Sequence, residues 1–194
     1  MGALVLGLVL FLGLHSTRIF AEGWRTATME SFGEKEYKLL YSVLSIAGFV
    51  LLVWGYGLAR HEPVILWNQP PVWTRHLASL LTMAAFVLLA AAYVPGNLVK
   101  AKLRHPMILG VKLWAFAHLL SNNTLADVVL FGSFLLWAVL DFRAARKRDR
   151  SLATVYTAGP MSRTVITVVA GVLAWAVFAM WAHRVLIGVS PLGV

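Results

Sequence analysis

The stretch "LLYSVLSIAGFVLLVWGYGLA", residues 39–59, contains no charged side chain over its whole length. An apolar helix of about 18 or more residues is long enough to cross the hydrocarbon core of a bilayer. Similar uncharged runs occupy residues 2–14, 128–140 and 164–182, and the run 76–99 contains only one histidine. The sequence therefore predicts an integral membrane protein.

The composition excludes a water-soluble globule, because 60% of the 194 residues are apolar and only 13% are charged. Soluble domains have roughly 45–50% apolar residues. The absence of cysteine excludes disulfides, thiolate metal sites and cysteine-based covalent catalysis. The net charge of +9 would suit nucleic acid, but the cytoplasmic loops of membrane proteins carry the same excess. We therefore expect a lipid bilayer as the surroundings and no nucleic-acid partner.

The pattern predicts the all-α class: a polytopic membrane bundle of about six transmembrane helices, forming a single domain over residues 1–194. Residues 2–20 are expected to be a retained span, since no basic residue precedes them as in a signal peptide. The segment 30–45 is interpreted as a polar turn, and the stretch 60–73 as an irregular cap on the outer surface. The six spans cover residues 3–20, 38–58, 75–96, 106–121, 124–142 and 163–187.

Basic residues concentrate in the odd-numbered loops, which the positive-inside rule therefore assigns to the cytoplasm. Both termini are then expected outside, in the periplasm of a bacterial inner membrane protein. The basic residues of the odd loops are Arg18, Arg25, Lys35, Lys38, Lys100, Lys102, Arg104, Arg143, Arg146, Lys147, Arg148, Arg150 and Arg163.

Two of the six histidines, His15 and His118, lie inside predicted spans. A neutral imidazole in lipid needs a hydrogen-bond partner or a metal. Two histidines on different helices are the arrangement that bis-histidine ligation of a haem requires. From the cytoplasmic edge His15 lies roughly 8–12 Å deep and His118 roughly 16–20 Å, which does not favour pairing. Helix packing is the alternative role, and spacing alone leaves both open.

Cations near these histidines suggest an anionic ligand. Arg18 follows His15 by one helical turn, and Arg104 lies at the same membrane face, where the propionates of a haem would find positive charge. Arg18 could equally be a snorkelling anchor at the interface.

Span four has a cationic face of its own, formed by Arg104, His105 and Lys112. Lys112 follows His105 by seven residues, so both project from nearly the same side of a helix. Such a face predicts an anion partner: Asp127, an acidic residue of the first loop, a propionate or a phosphate. Asp127 could instead cap the next helix.

Four stretches of the chain resemble the NnrU family of bacterial inner-membrane proteins, which are associated with nitrite and nitric oxide reduction in denitrification. They are "LVLFLGLHSTR" (8–18), "GEKEYKLLYSVLS" (33–45), "LRHPMILGVKLWAFAHLLSNNTLADVVLFGSFLLWAV" (103–139) and "LIGVSPL" (186–192). The resemblance covers essentially the whole chain.

The family is similar in turn to zeta-carotene isomerase, a membrane enzyme that uses haem b. Its histidine–serine pair matches His15 and Ser16, its Arg-His-Pro motif matches residues 104–106, and a later Ala-His matches residues 117–118. The resemblance implies haem b with His15 and His118 as axial ligands. The isomerase has a cysteine three residues before its second ligand, where this chain has Ala115, so a thiolate switch is absent.

The leading hypothesis is a haem b-binding membrane protein that supports nitrite and nitric oxide metabolism in a redox, sensing or assembly role. Components of the nitrite and nitric oxide reductase systems are candidate partners. Alternatives are a haem-dependent isomerase of a carotenoid-like apolar substrate, a membrane methyltransferase suggested by Arg-His-Pro, and a cofactor-free membrane partner protein. The residues therefore leave open whether the protein is an enzyme.

Overall fold

The uncharged runs form helices, as their length and composition predict. The computed structural model describes residues 1–192, so the last two residues of the predicted domain 1–194 lie outside the described part. Within residues 1–192, β structure is limited to an isolated bridge between Ile65 and Thr124, which confirms the all-α class. The helices are α1 (Gly2–Phe20), α2 (Glu22–Phe32), α3 (Glu34–His61), α4 (Val72–Tyr93), α5 (Leu98–Leu103), α6 (Pro106–Ser121), α7 (Leu125–Ser151), α8 (Met161–Val177), a π-helical turn (Phe178–Ala182) and α9 (His183–Ile187).

Five of the six predicted spans are confirmed as helices long and apolar enough to cross a membrane, counted over the described residues. They are α1, α3, α4, α7 and the continuous stretch Met161–Ile187. The predicted span 106–121 is confirmed as the apolar helix α6, which has 16 residues. Its length is about 24 Å at a rise of about 1.5 Å per residue. That is shorter than the hydrocarbon core of about 30 Å.

Two segments predicted as polar loops are helical instead. The first loop contains α2, and Gly33, with a φ of 101°, separates it from α3. The fifth predicted span ends at residue 142, yet α7 continues to Ser151. The basic stretch 143–150 therefore lies on a helix, because arginine, lysine and alanine form helices readily in water. The stretch 62–71 contains no helix, which agrees with the irregular cap predicted there.

The chain forms two compact units, the first of residues 1–68 and 123–144 and the second of 69–122 and the described residues from 145 onward. In the first unit α1 and α3 run antiparallel, with Gly48 beside Phe11 and Gly55 beside Leu4. Small residues let two helix backbones approach closely, which is a common way of packing helices in membranes.

The second unit packs α6 and α8 against α4. Gly110 of α6 lies against Ala85, and Gly171 of α8 lies against Val87. These contacts again place a glycine of one helix on the surface of its neighbour. Much of the remaining apolar surface of both units is exposed, as expected for helices that face lipid.

Candidate functional site

His15 lies on α1 in the first unit, surrounded by aromatic side chains from three helices. Its Nδ1 is 2.7 Å from the carbonyl oxygen of Phe11, one turn earlier. Ring centroids lie 4.3 Å away for Phe11, 5.4 Å for Tyr41 of α3 and 6.2 Å for Trp137 of α7. Since a carbonyl oxygen only accepts, Nδ1 donates this bond. The neutral ring then has its lone pair on Nε2.

His118 has the same local arrangement on α6 in the second unit. Its Nδ1 donates to the carbonyl oxygen of Trp114, at 2.8 Å, and the two rings are 5.3 Å apart. The backbone and side-chain amides of Asn122 both donate to the carbonyl oxygen of His118 and end the helix there. The neutral ring of His118 therefore also has its lone pair on Nε2.

The two histidines belong to different units, His15 to the first and His118 to the second. Over residues 1–192 there is no group of three or more histidine, cysteine, aspartate or glutamate side chains placed to hold a metal ion.

Arg18 lies in the last turn of α1, with 59% of its side chain exposed. Its Nε is 3.8 Å from a carboxylate oxygen of Glu22, in the first turn of α2. Arg25 approaches the same carboxylate at 3.4 Å. Exposed ion pairs of this kind contribute only about 0–1 kcal/mol, so the carboxylate does not hold Arg18 firmly in place.

The Arg-His-Pro motif forms the sharp turn between α5 and α6. Arg104 has φ 69° and ψ −54°, and the amide of His105 donates to the carbonyl oxygen of Leu103 at 2.9 Å. This is a γ-turn with positive φ, a rare and strained conformation for a residue with a side chain. Pro106 then occupies the first turn of α6, which confirms the predicted helix start.

The carboxylate that pairs with His105 belongs to Asp149, which was not among the predicted anion partners. The His105 Nε2 lies 2.8 Å from one carboxylate oxygen of Asp149, and the Tyr156 hydroxyl donates to the other at 3.0 Å. Asp149 is only 6% exposed. The signal that would have singled it out is its position as the one acidic residue within the basic run "RKRDR" (146–150).

Burial raises the pKa of Tyr156, and so do its hydrogen bond to Asp149 and the negative charge of that carboxylate. The nearby charges of Arg104 and Arg146 act in the opposite direction. The phenol therefore stays protonated at neutral pH and remains a hydrogen-bond donor to Asp149.

Asp127 caps α7, which confirms the second of the two roles considered for it. The Thr124 hydroxyl donates to a carboxylate oxygen of Asp127 at 2.6 Å. The Thr124 amide donates to the same carboxylate oxygen, and the Asp127 amide donates to the Thr124 hydroxyl, both at 3.3 Å. This reciprocal pair corresponds to a capping box. The Tyr56 hydroxyl donates to the other oxygen of Asp127 at 2.6 Å. Lys112, for which Asp127 was one of the anions considered, lies half-buried on α6 in the second unit, whereas Asp127 belongs to the first.

Comparison with known proteins places the chain in a family. The NnrU protein family matches residues 3–191. No curated protein and no solved structure matches the chain. Family membership fits a membrane protein associated with denitrification. Because the match extends over nearly the whole sequence, the protein belongs to the NnrU family.

Proposed function

We propose that this protein binds haem b through His15 and His118 and supports nitrite and nitric oxide metabolism in a redox, sensing or assembly role. We place it in the bacterial inner membrane, with its odd-numbered loops in the cytoplasm and both termini in the periplasm. Components of the nitrite and nitric oxide reductase systems are its proposed partners.

The observation that carries the proposal is the tautomer of the two histidines. Each donates its Nδ1–H to the carbonyl oxygen four residues earlier, at 2.7 Å for His15 and 2.8 Å for His118. Metal-binding histidines typically use one nitrogen for the metal while the other donates to a carbonyl or carboxylate, which fixes the ring. The residues present therefore fit axial ligation of a haem through Nε2.

The surroundings of each ring would restrict its rotation. Phe11, Tyr41 and Trp137 contact His15, and Trp114 contacts His118. A bound haem would supply one-electron redox chemistry, tuned by its axial ligands and by the surrounding dielectric. Held by both His15 and His118, the group would be better suited to electron transfer than to binding nitric oxide.

The cationic residues have proposed roles toward the haem carboxylates. Arg18 has an exposed side chain that a stronger anion than Glu22 could recruit. Arg104, His105 and Lys112 lie at or near the start of α6, and His105 already binds Asp149. We propose that these four side chains provide the positive charge around the bound group. Ala115, fully buried one turn before His118, offers no ligating atom in place of a thiolate.

Absorption spectra of the detergent-purified protein, oxidised and reduced, test the proposal. The wild type should show a sharp reduced alpha band, and His15→Ala and His118→Ala should each lose or shift it. His183→Ala is the matched control, because His183 also bonds a carbonyl oxygen through Nδ1 but lies half-buried at the first residue of α9, and the sequence does not place it in the ligand site. Wild-type protein that is colourless after expression with ample haem would overturn the proposal.

A further inference from the structure

Trp137 has a buried hydrogen-bond donor that nothing in the described residues accepts. Its indole Nε1 is shielded from solvent and has no partner within residues 1–192. A buried polar group without a partner costs about 1–3 kcal/mol. Buried indole N–H groups usually have a protein acceptor, as in Trp175, whose indole N–H donates to the Thr82 hydroxyl at 3.2 Å. The indole N–H of Trp137 therefore needs an acceptor that residues 1–192 do not supply.

The position of Trp137 links this donor to the proposed ligand site. Its ring stands edge-on to His15, with an interplanar angle of 86° and a centroid distance of 6.2 Å. One turn earlier on α7, Phe134 contacts Phe11 at 6.0 Å. Two successive contacts of α7 with α1 thus hold Trp137 beside His15. Any group bound at His15 would lie next to this indole.

The chemistry of a haem b narrows the possible acceptors. Its periphery consists of apolar substituents apart from two carboxylates, which are strong acceptors of hydrogen bonds. A carboxylate that accepts from an indole N–H in a low-dielectric site gains a charge-assisted bond.

We propose that Trp137 is a positioning residue that donates a hydrogen bond from its indole N–H to a propionate of the haem held at His15. This inference rests on the proposed haem-binding function. The bond would orient the haem relative to α7 and offset part of the propionate charge. Removing the donor leaves more negative charge near the iron, which stabilises the oxidised state, so the reduction potential should fall.

The test compares wild type, Trp137→Phe and the control Trp175→Phe as haem-loaded proteins in detergent. The readouts are the midpoint potential and the redox-induced infrared difference spectrum with haem labelled with ¹³C in its propionates. We expect Trp137→Phe to retain haem, to shift the labelled carboxylate bands and to lower the midpoint potential. Trp175→Phe should match the wild type in both.

Unchanged carboxylate bands and potential in haem-loaded Trp137→Phe would overturn the inference and assign the donor to a water or a lipid. A wild type without haem would overturn the proposed function and this inference with it. If Trp137→Phe fails to fold, ultraviolet resonance Raman spectra of the wild type decide the question. The hydrogen-bond marker of the indole N–H should then change between haem-depleted and haem-loaded protein, and an unchanged marker would contradict the bond.

Discussion

Ala153 and Gly188 both adopt positive φ just after a helix, but only one of them is a glycine. Ala153, with φ 49°, follows α7, where the Thr154 amide donates to the carbonyl oxygen of Asp149. Gly188, with φ 78°, follows α9, and no atom lies within 4 Å of where its Cβ would be. A side chain in this left-handed region costs roughly 1–2 kcal/mol.

Ala153→Gly should therefore stabilise the protein by about 1 kcal/mol, and Gly188→Ala should destabilise it by a similar amount. For a chain of this size such changes correspond to shifts of roughly 2–4 °C in Tm. Thermal unfolding of both variants in detergent measures the pair. Shifts of the same sign in the two variants would contradict this account.

Tyr156→Phe removes the donor to buried Asp149 and should lower the free energy of unfolding by about 1 kcal/mol at neutral pH. The pKa of Tyr156 is raised above its ordinary value of 10.0, chiefly by burial and then by Asp149. The stabilisation by the phenol is thus fully present below about pH 10 and is lost as the pH rises through the higher folded-state pKa.

The measurement is thermal stability as a function of pH for wild type and Tyr156→Phe. The gap between them should stay constant up to about pH 10 and close above it. Tyr93→Phe is the control, because Tyr93 is 76% exposed and should show no gap. A gap that widened at alkaline pH would show that the sign of the shift is wrong.

At the scale of helices, close backbone contact between α1 and α3 depends on glycine. A Cβ on Gly55 would meet backbone atoms of Ala3 and Leu4, whereas a Cβ on Gly57, on the same helix, would meet nothing within 4 Å. Because both positions are helical, alanine has the same helix-propensity advantage over glycine at each. The two positions differ only in what surrounds the added Cβ.

Gly55→Ala should destabilise the protein by roughly 1–3 kcal/mol, because the two backbones must move apart. Gly57→Ala should be neutral or stabilise by up to about 1 kcal/mol, the helix-propensity gain over glycine. Thermal unfolding in detergent measures both. Equal effects at the two positions would mean that this helix contact does not depend on the absence of a side chain at Gly55.

Hydrophobic patterns predicted the long apolar helices, but they did not predict the polar helical segments. The bounds of α6 follow from Pro106 and from the turn residues after Ser121, which are local signals. The basic end of α7 and all of α2 have no apolar run to reveal them. These segments are helical because their residues have high helix propensity, which a hydrophobic pattern does not reveal.

The sequence predicted that His15 and His118 lie within apolar helices, because each is a polar residue in an uncharged run, and the structure places them on α1 and α6. The pairing of His105 with Asp149 joins residues 44 positions apart, and no periodicity in the sequence links them. The same holds for Trp137, whose place beside His15 depends on how α7 packs against α1.

At the scale of the whole molecule, the chain is a multi-pass helical membrane protein of the NnrU family. Exposed apolar side chains dominate the long helices, and the charged residues gather at helix ends and in the connecting segments. In such a protein a histidine within a span needs a reason to be there. We propose that haem ligation is that reason for His15 and His118.

The measurement that tests this claim most directly is a low-temperature electron paramagnetic resonance spectrum of the oxidised wild-type protein, purified in detergent after expression with ample haem. Two imidazole ligands create a strong ligand field, so we expect a low-spin ferric signal. A high-spin ferric signal, or a spectrum without any ferric haem signal, would contradict bis-histidine ligation.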